Sequence, residues 1–159
     1  MLYYARRFDE AIQQYNKTLE IDPNFFKVHN DLALAYGRKG MQTEAVGEFL
    51  RASTLSGESP QNVATLEEAF RTSGARGFWK EKLNLAKRRE RGHGYLLGPV
   101  DLAEIYARLG DKNAALKWLE TAYAEHSDSL VYLKVDPEFD SVRSDPRFAE
   151  LLRRVGLPQ

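Results

Sequence analysis

The side chains best suited to metal binding are three histidines, His29, His93 and His126, in a chain without cysteine. They lie far apart in the sequence, whereas a metal site needs clustered histidine, aspartate or glutamate ligands. His29 comes at the start of a helical pattern, where a packing role is the simpler interpretation, and His93 lies between glycines in a loop. The sequence therefore predicts no metal site and no other cofactor.

Other residues that can do chemistry also lack partners at the required spacing. The glycine-bearing stretches 73–77 (SGARG) and 91–98 (RGHGYLLG) are interpreted as helix–helix connections, because a phosphate loop or a hydrolase elbow needs a strand before its glycine turn. The neighbouring carboxylates Glu67 and Glu68 are interpreted as a solvated helix face. Without a nucleophile–base pair, the sequence predicts a protein that is not an enzyme.

Composition and charge exclude further classes of function. The 23 Lys and Arg residues balance the 23 Asp and Glu residues, whereas nucleic-acid-binding domains usually carry a basic excess. The basic run 80–93 contains Leu83 and Leu85 on a helical stripe and is interpreted as a helix face. No uncharged apolar run approaches the roughly 18 residues of a membrane span, and charges interrupt the first ten residues before a signal peptide can form. We therefore predict no nucleic-acid partner, no membrane insertion and a cytoplasmic location, or a periplasmic one if the chain belongs to a membrane-anchored regulator.

The chain is organised as a repeat of 34 to 36 residues. Its anchor positions are Ala11, Ala45, Trp79 and Ala115. Four residues after each anchor comes an aromatic residue or a leucine, and five residues before three of them comes a glycine: Tyr15, Phe49, Leu83 and Leu119, then Gly40, Gly74 and Gly110. Spacings of three and four place side chains on one helical stripe, and a left-handed glycine ends a helix so that the chain can reverse. The pattern predicts helical hairpins that bury their apolar faces by stacking on one another.

The predicted helices follow from this pattern and from the positions of proline and glycine. They cover residues 7–21, 24–39, 42–55, 60–73, 77–91, 98–109 and 112–126, with short turns near 129–133 and 137–141 and a helix near 145–155. Residues from Asp128 onward leave the period. Their apolar side chains are predicted to cover the exposed stripe of the last hairpin, namely Leu130, Val131, Tyr132, Val135, Phe139, Phe148, Leu151 and Leu152.

The segments "LALAYGRKGMQTEAVGEFLRA" and "LAEIYARLGDKNAALKWLETA" resemble the tetratricopeptide repeat family. The segment "RFDEAIQQYNKTLEIDPNF" is similar to the second helix and closing proline of that repeat. The resemblance covers residues 1 to about 127 and implies an all-α, right-handed α-solenoid of about three and a half hairpins. Its units would be about 1–25, 26–59, 60–94 and 95–127, with 128–159 as a C-terminal helical cap. In the third unit Trp79 replaces the small anchor residue, so we expect that hairpin to be wedged apart or shifted in register.

Both ends of the chain suggest a larger protein. The tail "VYLKVDPEFDSVRSDPRFAELLRRVGLP" resembles the C-termini of some large bacterial signalling proteins, which implies a regulatory region at the end of a longer chain. The first repeat has no first helix. Either preceding repeats are missing, or the fold tolerates the gap, or the exposed apolar flank pairs with a second copy through Leu2, Tyr3, Ile12 and Tyr15.

The resemblance implies a scaffold or sensor that binds another protein. In stacked hairpins the first helix of each unit lines a concave groove, which fits a peptide or a helix of a partner. The groove is predicted to be lined by first-helix side chains that hairpin packing does not use, namely Lys27, Asn30, Leu34, Arg38, Glu68, Arg71, Glu104 and Arg108. Two alternatives stay open: these residues are solvated helix faces, or the N-terminal flank is a homo-oligomerisation element.

Overall fold

The computed structural model describes residues 1–89 and 97–157, with the side chain of residue 89 outside the description. Within these ranges the chain forms helices and no strand. The α-helices are α1 (Phe8–Ile21), α2 (Phe26–Arg38), α3 (Gln42–Leu55), α4 (Pro60–Arg89), α5 (Pro99–Leu109), α6 (Lys112–Ala124) and α7 (Pro146–Val155), and the 3₁₀ helices are Asp128–Tyr132 and Pro137–Phe139. This confirms the all-α fold class of helical hairpins. The predicted boundary near residue 94 and His93 lie outside the described residues.

The chain divides into two compact units, Met1–Glu81 and Lys82–Gln159. In the first unit α2 packs against both α1 and α3. The anchor residues Ala11 and Ala45 are 1% and 3% exposed, and Ala33 and Ala35 of α2 are fully buried. Small side chains at these positions let neighbouring helices approach closely, so the predicted hairpin packing is confirmed here.

A left-handed residue closes the first helix of three repeats in the same way. Gly40 has a φ of 77° and Gly110 a φ of 83°, and the residue after each donates its N–H to the carbonyl five positions back. Arg6 has a φ of 60°, and the Arg7 N–H donates to the Leu2 carbonyl oxygen at 3.0 Å. Residues 1–6 therefore form the turn that closes the first helix in the other copies.

Replacing Arg6 with glycine is expected to raise the free energy of unfolding by about 1 kcal/mol, because a side chain in the left-handed region strains the backbone. Gly40→Ala places a Cβ in the same conformation with no neighbouring atom within 4 Å, so it is expected to lower stability by about the same amount through strain alone. Urea unfolding of both variants measures the two changes. Equal free energies of unfolding for wild type and Arg6→Gly would show that the left-handed backbone of Arg6 is not strained.

The third repeat lies in α4, which is interrupted at Gly74 (φ 62°, ψ −160°). The two halves of the helix approach closely at Gly77, where a Cβ atom would lie 2.4 Å from the carbonyl oxygen of Ala69. The expected wedge at Trp79 is therefore not observed at this point. Instead, the indole packs edge-on against Phe49 of α3 at a centroid distance of 5.0 Å and is 9% exposed.

The second unit is built on α5, α6 and α7. α5 packs against α6 and against the second 3₁₀ helix, while α7 packs against α6. The predicted covering side chains Leu130, Phe139, Phe148, Leu151 and Leu152 are all buried.

The prediction is wrong for three side chains of the C-terminal segment. Val131, Tyr132 and Val135 are 59%, 41% and 45% exposed. A 3₁₀ helix has three residues per turn, so Leu130 and Leu133 share its buried face. Val131 and Tyr132 then fall on the other faces, which a continuous apolar run in the sequence does not reveal.

Candidate partner-binding face

In the first unit, α2 carries four of the predicted groove residues on one stripe. Lys27 and Arg38 are exposed, while Asn30 and Leu34 are half-buried. Positions 27, 30, 34 and 38 repeat every three to four residues, so they share a side of the helix. Asp31 lies on the same stripe. Burial raises the pKa of its carboxyl group, and Lys27 and the N-terminal amine offset part of that rise. The structure thus brings these predicted residues together on one helix.

Glu68 and Arg71, on α4 of the same unit, form an ion pair on the surface. The Arg71 Nε donates to Glu68 Oε2 at 2.8 Å and its Nη2 donates to Oε1 at 2.6 Å. The hydrogen bond from Arg71 lowers the pKa of Glu68. Both side chains are more than half exposed, so each already has a partner while it remains accessible to another molecule.

In the second unit, Arg108 of α5 is bound to another part of the same chain. Its Nε donates to Glu138 Oε2 at 2.7 Å, and the two side chains are 16% and 4% exposed. Glu138 lies in the second 3₁₀ helix, and its N–H donates to Asp136 Oδ1 at 2.9 Å. Arg143 donates through Nη2 to the Asp136 carbonyl oxygen at 2.9 Å. An acidic Asp-Pro-Glu-Phe segment is therefore fixed on the face of α5.

Sequence reasoning placed Arg108 in the groove but did not identify Glu138. Asp136 before Pro137 signals a turn, and a short turn near 137–141 was predicted. No periodicity in that irregular segment relates Glu138 to α5, thirty residues earlier in the chain. A buried ion pair between a repeat helix and a nonrepeating tail is therefore visible only in three dimensions.

Glu104 lies one helical turn before Arg108 in an environment that disfavours its charge. Burial raises the pKa of Glu104 to about 8; Arg108 opposes the shift, and Asp136, Glu138 and Asp101 add to it. The Glu104 Oε2 is 3.7 Å from Arg108 Nη2, too far for a hydrogen bond. Burial also lowers the pKa of Lys82 to about 8, and the charges that act on this amine include Arg108 and Glu104.

Glu104→Gln is expected to reduce the loss of stability that accompanies rising pH. In the unfolded chain a glutamate ionises near pH 4.5, whereas folded Glu104 keeps its proton up to about pH 8. Between these values the folded state binds more protons, so the free energy of unfolding falls as pH rises. Urea unfolding at pH 5, 6.5 and 8 should show a shallower decline for the variant than for wild type, and parallel declines would contradict this assignment.

The residues predicted for oligomerisation surround the N-terminal turn. Tyr3 is 5% exposed and packs against Tyr4 and Phe8 at ring-centroid distances of 5.5 and 5.7 Å. Leu2, Ile12 and Tyr15 are half-buried. Burial raises the pKa of Tyr15, with a further contribution from Asp31. The role of these residues in self-association stays a prediction.

The described residues give no sign of a metal site or a membrane span. No group of three or more His, Asp or Glu side chains in ranges 1–89 and 97–157 is arranged to hold a metal ion. Within the same ranges, every helix is too short or too polar to cross a bilayer. His29 is 8% exposed and contacts Glu48 and the Pro23 carbonyl, as expected for a packed residue.

Two stretches of the chain match known repeat families. Residues 1–40 match the family described as TPR repeat, and residues 100–124 match the family described as tetratricopeptide repeat. These matches support a tetratricopeptide repeat family for the chain and agree with its helical hairpins. Searches of curated proteins and of solved structures each gave no significant match. The resemblance of the tail to bacterial signalling proteins stays a prediction.

Proposed function

We propose that the chain is a non-enzymatic protein–protein interaction module that binds an acidic peptide segment on the first helix of a repeat. Tetratricopeptide repeats generally mediate binding between proteins, and two of the copies match that family. The observation that carries the proposal is the contact between Arg108 of α5 and Glu138, because it shows how this repeat holds a short segment of chain.

In the first unit, Arg38 of α2 occupies the position that corresponds to Arg108 of α5, and it is exposed. Arg38 and Arg108 each lie two residues before a left-handed glycine, so they occupy the same place in their repeats. Arg38 is exposed, and Leu34 stands where α5 has Glu104. The α2 stripe therefore combines a basic residue with an apolar one at the position that Glu104 holds in α5. Asp31 is the carboxylate that remains on the stripe, and its burial favours the neutral form, which weakens its repulsion of an acidic ligand.

Glu68 and Arg71 would extend this surface within the first unit. Their mutual ion pair is exposed, and exposed pairs contribute little to stability, so a partner can replace one side of it at low cost. The expected ligand is a short segment in which a glutamate is followed by an aromatic residue, as in the Asp-Pro-Glu-Phe sequence. In a larger bacterial regulatory protein, such a surface would serve as a scaffold or sensor.

A fluorescently labelled peptide with the sequence of residues 133–143, LKVDPEFDSVR, is the probe for this surface. Fluorescence anisotropy should show saturable binding to the full chain. We expect binding to weaken at least about tenfold, or roughly 1.4 kcal/mol, when Arg38 is changed to glutamine, since a charge-assisted hydrogen bond is lost. The same loss is expected when the peptide carries glutamine in place of its glutamate.

Lys17→Gln is the matched control, because it removes one exposed positive charge from α1 outside the predicted sites. Its affinity for the peptide should equal that of wild type. If wild type does not bind, or if Arg38→Gln binds as tightly as wild type, the proposed role of α2 is wrong.

Homo-oligomerisation through the N-terminal end is the second candidate. It is supported by the partly exposed apolar residues Leu2, Ile12 and Tyr15. Light scattering on wild type and on an Ile12→Glu variant separates the two functions. A dimer that dissociates in the variant would favour self-association, whereas a monomer in both would exclude it.

A further inference from the structure

A crevice of about 250 Å³ lies beside the break in α4, within the first unit. Both halves of the helix contribute to its lining, which includes Ala69 and Ser73 before the break and Arg76, Gly77, Lys80 and Glu81 after it. A water molecule takes up about 30 Å³ in the liquid, so the crevice has room for roughly eight waters or for a small organic ligand.

Small residues form the part of the crevice where the two halves of α4 come closest. A Cβ atom on Gly77 would lie 2.4 Å from the Ala69 carbonyl oxygen, so a larger residue does not fit there. The crevice is therefore lined by backbone at this point, and its polar side chains stand around it. Among them, the exposed hydroxyl of Ser73 can donate one hydrogen bond to a ligand.

The charged side chains in this lining are two cations and one carboxylate. Arg76 and Lys80 are exposed, and Glu81 is half-buried. Arg76 and Glu81 each take part in a further contact within the chain. A guanidinium has five N–H donors and a carboxylate has about four acceptor sites, so such a contact leaves both groups able to bind a ligand as well. The crevice thus offers two positive charges and one negative charge over a short distance along one helix.

We propose that this crevice binds a free acidic amino acid, glutamate or aspartate. Such a ligand carries two carboxylates and one ammonium group, which complement the charges of the lining. Arg76 and Lys80 hold the carboxylates through charge-assisted hydrogen bonds, and Glu81 accepts from the ammonium group. A plain anion of the same size would face the like charge of Glu81 and give it no partner. The site does not depend on the peptide surface proposed for α2.

A ¹H–¹⁵N NMR titration of the full chain with L-glutamate and with glutarate, at equal pH and ionic strength, tests this site. Glutarate has the same carbon chain and both carboxylates but no ammonium group. We expect saturable shifts of the Gly74 and Gly77 amides with L-glutamate. Glutarate should bind about tenfold more weakly, because it loses the charge-assisted hydrogen bond to Glu81. Absence of saturable shifts at these two glycines with L-glutamate, or equal affinity for both ligands, would overturn the proposal.

Three variants assign the charges of the site. Lys80→Gln should weaken the binding of L-glutamate about tenfold, since one charge-assisted hydrogen bond is lost. Glu81→Gln should bind L-glutamate and glutarate with nearly equal affinity. Lys17→Gln removes an exposed lysine of the same unit that does not line the crevice, so it should bind like wild type. Unchanged affinity in Lys80→Gln would also overturn the proposal, and if a variant does not fold, the comparison of the two ligands on wild type decides.

Discussion

Replacing Arg108 with methionine is expected to lower the free energy of unfolding by about 3 kcal/mol or more, because it leaves a buried carboxylate without its cation. Glu138 is 4% exposed, so water cannot replace the guanidinium without disturbing the packing of the second 3₁₀ helix on α5. Methionine keeps most of the apolar stem of arginine, so the loss reports the charge rather than the volume. Urea denaturation with circular dichroism measures the change.

Two further variants separate the buried ion pair from general effects of losing an arginine. Arg71→Met removes an arginine from the exposed pair with Glu68, and its unfolding midpoint should match wild type. Replacing both partners, Arg108→Met with Glu138→Leu, should recover at least half of the lost stability, since no charge is then left buried. A single Arg108→Met variant as stable as wild type would show that the segment is not held by this pair.

Gly77→Ala is expected to destabilise the chain by about 1–3 kcal/mol, the cost of forcing a methyl group into a filled space. A Cβ atom there would lie 2.4 Å from the Ala69 carbonyl oxygen and 2.5 Å from the Ser73 Cβ. Relief of the contact with Ala69 requires a shift of backbone, because no flexible side chain can move aside. The two halves of α4 would have to separate next to the break at Gly74.

Gly47→Ala is the matched control in a helix interior. It lies in α3 with no atom within 4 Å of the added Cβ, so alanine should raise stability by about 0.5–1 kcal/mol through its better helix propensity. Thermal unfolding of both variants under one condition gives the sign directly. If Gly77→Ala stabilises the chain as Gly47→Ala does, the backbone at Gly77 does not lie as close to the Ala69 carbonyl oxygen as described.

The parts of the fold that follow from local rules could be predicted from the sequence. Small anchors such as Ala11 and Ala45 are buried because two helices can approach only over small side chains. Gly40 and Gly110 close first helices because glycine adopts the left-handed conformation without strain. Arg6 performs the same role without being a glycine, so the pattern that revealed the other copies did not identify it.

The parts that depend on irregular structure could not be predicted. Val131 and Tyr132 were expected in the core because apolar side chains are usually buried, but the three-residue period of the 3₁₀ helix exposes them. The pairing of Arg108 with Glu138 joins a regular helix to a segment without periodicity. The stripe predicted on α2 followed from helical spacing alone, whereas the ligand chemistry proposed for it rests on the contact between Arg108 and Glu138.

The most direct test of the proposed function is a ¹H–¹⁵N NMR titration of the full chain with the unlabelled peptide of residues 133–143. We predict saturable shifts of the backbone amides around Leu34 and Arg38 on α2. The peptide with glutamine in place of its glutamate should produce these shifts only at much higher concentration. If the amides of α2 do not shift, or if shifts occur only in the second unit where the chain's own segment is displaced, α2 is not the binding face.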